Sequence, residues 1–171
     1  KNVAEAMDLF LSNNCNAIIG FGGGSSMDCA KAVGAKIAKP KQSLAKMKGI
    51  LKVHKRIPLL IAVPTTAGTG SETTLAAVIT DAETRHKYAI NDFPLIPRYA
   101  ILDPKVTLSL PPFITATTGM DALTHAVEAY IGNSTTYGTR MDALKAVELI
   151  FENIDTVKKK KKNEEARKKM L

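Results

Sequence analysis

The chain has no tryptophan, and aromatic residues make up only 5% of it. Neither of its basic stretches interleaves aromatic rings on which bases could stack, which argues against a nucleic-acid surface. There are only two cysteines, Cys15 and Cys29. That is too few for a disulfide scaffold and the spacing is not that of a metal site, so a reducing, cytoplasmic setting fits. No apolar run approaches the roughly 20 residues of a membrane helix, and no charged-then-apolar leader opens the sequence. The expectation is a soluble, unexported chain with neither a membrane nor a nucleic acid as partner.

What is present suits a folded core. Hydrophobic residues are 45% and charged residues 23% of 171, close to globular averages, and the length allows one domain or one plus part of a second. The net charge of +8 is concentrated in two places. Eight of the 24 basic residues lie between Lys36 and Arg56, and eight more between Lys158 and Lys169. The run KKKKK at 158–162, followed by Asn163, Glu164 and Glu165, reads as a solvated helix end or loop.

Hydrophobic spacing gives the organisation. Val3, Ala6, Phe10 and Leu11 recur at helical intervals, NAIIGF at 16–21 reads as a buried strand, and Ser25 to Ala38 reads as a helix rich in small residues. A basic linker follows, with a short helix around 43–51, and then PLLIAVP at 58–64 as a second buried strand. Strand, helix, strand in this order is a parallel βαβ unit. LAAVIT, KYAI and the residues from Tyr99 to Leu102 read as further short strands. After Pro111 and Pro112 nearly everything reads as helix, so the boundary falls between an α/β domain, 1–110, and an all-α region, 111–171. The closing NEEARKKML begins a helix of about two turns.

Three stretches could carry chemistry. GFGGGSSMDCAK, residues 20–31, sits between a strand and a helix, where glycines admit a phosphate close to the backbone and the helix N-terminus favours an anion. It lacks the third glycine of G-x-G-x-x-G, and Ser25 with Asp28 also fits a plain capping box. PTTAGTGSE, residues 64–72, lies beyond the next parallel strand, so the two loops would share one sheet end, where ligands of open α/β sheets bind. In TTGMDALTHAVEAY, residues 117–130, Asp121 and His125 are four apart and share a helix face. They could converge on one ion. Thr118 and Asp121 also fit a capping box, which would leave His125 without a role.

In this order and at these spacings, GGGSSMDCAK, PTTAGTGSE and GMDALTHAVEAY together resemble the iron-containing (group III) alcohol dehydrogenase family. The likeness runs from about residue 1 to 171 and takes in ITDAETRHKYAI, ILDPKVTLSLPP and EARKKML. It implies a parallel-sheet, Rossmann-like nucleotide-binding domain of the dehydroquinate synthase-like type, followed by the start of an all-α metal-binding domain. It also implies interconversion of a small alcohol and its aldehyde or ketone with NAD or NADP.

By position, the resemblance implies that Gly23, Gly24 and Ser25 meet the pyrophosphate, with Asp28 close by. Thr65, Thr66 and Thr69 would hold the phosphate, ribose and nicotinamide end. Lys87 would lie near the nicotinamide ribose, and Thr74, Val78 and, more weakly, Ser71 would line the same cleft. Asp121 and His125 match two of four ligands to a divalent ion, Fe2+ or alternatively Zn2+, and the other two would be histidines beyond Leu171. On that reading the chain is an internal piece of a longer enzyme, a homodimer or higher homo-oligomer when complete. Alone, it would have weak metal binding, little activity and exposed apolar surface. Relatives of the same architecture, a glycerol-type dehydrogenase or a dehydroquinate synthase-like enzyme, and a non-enzymatic phosphate- or nucleotide-binding module are the alternatives.

Overall fold

The computed structural model describes residues 2–171. The chain divides into two compact units: residues up to Pro64 together with Ser71–Ile101 form the first, and Thr65–Gly70 with Leu102–Leu171 form the second.

In the first unit, helix α1 (Asn2–Ser12) leads into strand β1 (Ala17–Gly22), helix α2 (Gly24–Ala38) and, after β2 (Gly49–Ile50), strand β3 (Leu59–Pro64). β1 and β3 pair in parallel from Ala17 opposite Leu59 to Gly22 opposite Pro64, and β6 (Tyr99–Ala100) joins the far side of β3. The βαβ unit is therefore present as read. Small residues let α2 lie close to the sheet: a β-carbon on Gly20 would come within 3.3 Å of Ala30 Cβ, and one on Gly34 within 2.9 Å of Ile57 Cδ1. The core holds Ala30, Ala35, Met47, Val53, Leu60, Ala77, Ile90 and Leu95.

β4 (Ala76–Thr80) and β5 (Lys87–Asn91) form an antiparallel hairpin, and β2 pairs in parallel with β5 in this second sheet. The helix expected around 43–51 is instead one 3₁₀ turn, Leu44–Met47, followed by β2. Positive φ at Gly49 (102°) and Leu51 (53°) takes the backbone out of helical space. The basic linker is tied down by its own charges. Lys36 donates to the carbonyls of Pro40 and Gln42, and Lys39 to that of Lys52. Buried Asp92 accepts the amides of Val53 and His54 at 2.8 and 2.9 Å.

The second unit is helical: α3 (Pro112–Ile131), α4 (Tyr137–Lys159) and α5 (Glu164–Met170). Thr115, Gly119 and Ala126 are the buried stripe of α3. Gly119 is small because a β-carbon there would stand 2.9 Å from Ile154 Cδ1 and 3.2 Å from Met170 Cε. Ile150, Val157, Ala166 and Met170 make the core, with Ala67 of the 65–70 segment packed against it. Asn163 caps α5 by accepting the Ala166 amide at 3.0 Å. The lysine run falls at the end of α4 and is solvated. Phe113, Tyr137 and Phe151 stay exposed, as do Ile19 and Phe21 in the first unit. No helix is long and apolar enough to cross a membrane among the described residues.

Candidate functional site

The glycine loop turns directly from β1 into α2. At Gly22 φ is +143°, and a β-carbon there would meet Ser26 Oγ at 2.5 Å, so the turn requires glycine. The capping box read from Ser25 and Asp28 does not form. Gly23 is the N-cap and no side chain caps the turn, so the helix start is left open for an anion. Gly23 and Gly24 are half-buried at this turn, and Ser25 is exposed.

Asp28 is drawn to the neighbouring segment instead. Its Oδ1 accepts the Ser71 hydroxyl at 2.7 Å and its Oδ2 the Val78 amide at 3.1 Å. One turn on, Lys31 is fully buried, and its ammonium donates to Thr74 O (2.7 Å), Thr74 Oγ1 (3.1 Å) and Ala76 O (2.8 Å). Burial pulls the Lys31 pKa down to about 8, against the upward influence of Asp28 and Glu72. Sequence reasoning passed over Lys31. The signal was a lone lysine within AKAVGA, on a helix otherwise made of small apolar residues.

In the hairpin, Val78 pairs with Ala89 and Thr80 with Lys87, which puts Val78 and Lys87 on one exposed face. Ser25 and Val78 also line a hollow of 610 Å3 together with Cys29 and Tyr88. Burial pushes the Cys29 thiol pKa up, which keeps it protonated and unreactive at neutral pH. Of the residues expected to bind cofactor, Gly23, Gly24, Ser25, Asp28, Ser71, Thr74, Val78 and Lys87 thus share the first unit. Thr65, Thr66 and Thr69 belong to the second, all half-buried. Their segment leaves β3 at Pro64, level with Gly22 on β1. It passes so close to α3 that a β-carbon on Gly68 would overlap the Thr118 carbonyl.

The second capping box is also absent. α3 begins at Pro112, so Thr118 is inside the helix, where its hydroxyl donates to Ile114 O at 2.9 Å. Asp121 is therefore no cap. Its Oδ1 lies 3.8 Å from His125 Nε2, with both side chains about half exposed on one face. A carboxylate oxygen and an imidazole nitrogen are donors that both Fe2+ and Zn2+ accept. The pair fits as part of a ligand set. No group of three or more His, Cys, Asp or Glu side chains able to hold an ion occurs among the described residues.

Arg167, also unforeseen, is buried in the second unit. It donates to Thr115 Oγ1 at 2.9 Å and to the Lys161 carbonyl at 3.1 Å, and burial lowers its pKa.

A strand, glycine turn and helix in a parallel sheet, followed by a helical region that carries a carboxylate–imidazole pair, define an α/β-plus-α class of protein. Residues 1–104 match the model of the iron-containing alcohol dehydrogenases, and residues 115–171 match the model of the C-terminal part of that family. The chain belongs to the iron-containing alcohol dehydrogenase family. It is 43% identical over 150 residues to the NAD-dependent methanol dehydrogenase of Bacillus methanolicus, covering 88% of this chain and 39% of that one. With alcohol dehydrogenase 4 of Schizosaccharomyces pombe it shares 42% over 167 residues, again 39% of the relative's length. A crystal structure of 1,3-propanediol oxidoreductase superposes with a TM-score of 0.94 at 38% identity, over 98% of this chain and 44% of that one. The NAD+ complex of sulfoacetaldehyde reductase from Bifidobacterium kashiwanohense gives 0.88 at 36%, over 98% and 45%. The chain thus spans about two fifths of the length of the curated relatives it matches.

Proposed function

We propose that this chain carries the nucleotide loop and two metal donors of an NAD(P)-dependent dehydrogenase that interconverts a small primary or secondary alcohol and its aldehyde or ketone. The observation that carries the reading is the exposed Asp121–His125 pair on α3, set within a chain whose family models match on both sides of Pro111. That the relatives include methanol and propanediol dehydrogenases supports an alcohol over the substrates of glycerol-type or dehydroquinate synthase-like enzymes.

The residues divide the work. The open start of α2 and the backbone at Gly23, Gly24 and Ser25 receive the pyrophosphate; Thr65, Thr66 and Thr69 are the cofactor-binding hydroxyls of the second unit. Val78 and Lys87, on one face of the hairpin, meet the nicotinamide end, beside Thr74 and Ser71. Asp121 and His125 would hold Fe2+ or, alternatively, Zn2+. When bound, the ion supplies Lewis acidity at the alcohol oxygen, and the nicotinamide supplies the hydride acceptor. No nucleophilic triad is called for. The working form is a cytoplasmic homodimer or higher homo-oligomer.

The test is titration of the chain with Fe2+ or Zn2+ under anaerobic conditions, with an assay of NAD+ and NADP+ reduction by small alcohols. Two donors predict weak metal binding that His125→Ala abolishes, because a catalytic ion usually takes about three protein ligands. Metal binding unaffected by both His125→Ala and Asp121→Asn would sink the assignment.

A further inference from the structure

We infer that Lys31 is a positioning residue, which with Asp28 clamps the 71–78 segment to the helix that follows the glycine loop. The purpose we assign to it rests on the dinucleotide reading above. Residues 71–75 precede β4, and the Leu75 carbonyl accepts the Asp92 amide at 3.1 Å. Side chains from α2 reach the segment on both sides of that bond. Asp28 holds Ser71 and the Val78 amide, and Lys31 holds Thr74 and the Ala76 carbonyl. Two side chains at i and i+3 on one helix thus grip the segment at its start, its middle and the first residues of β4.

The geometry has a functional direction. α2 begins at the glycine loop, whereas β4 carries Val78 and is paired with β5, which carries Lys87. The clamp therefore fixes the spacing between the element that would receive the phosphates and the face that would receive the nicotinamide. A ligand touching both would be sensitive to that spacing; a ligand touching only the first would not. A fully buried ammonium with three oxygen acceptors and two nearby carboxylates, Asp28 and Glu72, is a costly way merely to fill a core. An aliphatic side chain would fill the same volume without holding Thr74 and Ala76.

The test compares the wild-type chain with Lys31→Met by hydrogen exchange of the peptide 71–80, and by titration with NADH and with ADP, which lacks the nicotinamide. Removing the clamp is expected to speed exchange over 71–80 about tenfold, by opening the segment locally. NADH affinity is expected to fall about tenfold with ADP affinity changed less than about twofold. Unchanged exchange, or equal weakening of both nucleotides, overturns the inference. If Lys31→Met does not fold, Thr74→Val removes one leg and keeps both carbonyl contacts; a smaller rise in exchange confined to 71–80 supports the clamp, and no rise overturns it. A wild-type chain that binds neither nucleotide sinks the proposed function and the purpose given to the clamp, while exchange alone still judges the clamp.

Discussion

Two charged pairs on two helices behave in opposite ways. On α2, Asp28 and Lys31 are turned inward, and every contact they make goes to the chain itself. On α3, Asp121 and His125 are half exposed and 3.8 Å apart, with little to gain from each other in solvent. A buried charge must be satisfied by the fold, so its partners define where a segment sits. An exposed pair of donors keeps its lone pairs available, which is what a ligand set requires. Charge placement therefore separates residues that position a segment from residues that keep their donors open for the proposed ion.

The comparison can be broken first where backbone meets backbone. Gly68→Ala drives a β-carbon into the Thr118 carbonyl, and should cost about 3 kcal/mol in denaturant unfolding by forcing the 65–70 segment off α3. An equally stable variant would show that this approach is not fixed.

Next comes the inward pair. Lys31 titrates near pH 8 in the folded chain and at 10.5 when unfolded. Between those values the unfolded state binds more protons, so the Lys31 contribution to stability rises with pH across that window. The stability difference between wild type and Lys31→Met should therefore shift in favour of wild type by about 1 kcal/mol or more from pH 7.5 to 10. A flat difference would mean that the ammonium is held charged by its oxygen partners.

In the second unit, Thr115→Val takes an acceptor from buried Arg167 and should cost about 1–2 kcal/mol. Thermal unfolding would measure it, and Thr107→Val offers a contrast, since that hydroxyl bonds a carbonyl in its own turn. The smallest effect belongs to the outward pair. His125→Ala should change stability by less than about 0.5 kcal/mol while removing what metal affinity the chain has.

Much of this was legible beforehand because it rests on local periodicity. NAIIGF and PLLIAVP read as buried strands and both are strands, although Ile19, Phe21 and Leu59 stay exposed, and the small residues from Ser25 to Ala38 do form a tightly packed helix. The two capping boxes, open alternatives in the sequence, do not form for one reason. A Ser or Thr three residues before Asp describes a helix start only if the helix starts there. α2 opens at Gly24 and α3 at Pro112. Lys31, Asp92 and Arg167 were illegible because a charged side chain is by default solvated, and each has a side-chain or backbone partner 38 to 52 residues away in sequence.

By itself the sequence determined the βαβ order, the glycine turn, the helical second half and the i, i+4 spacing of Asp121 and His125, since each depends on residues within about two turns of one another. Only the tertiary structure decided that Asp28 binds the Ser71–Val78 segment rather than capping its own helix, and that a lysine belongs in the core. Those outcomes depend on which distant backbone oxygens and amides need a partner once water is excluded.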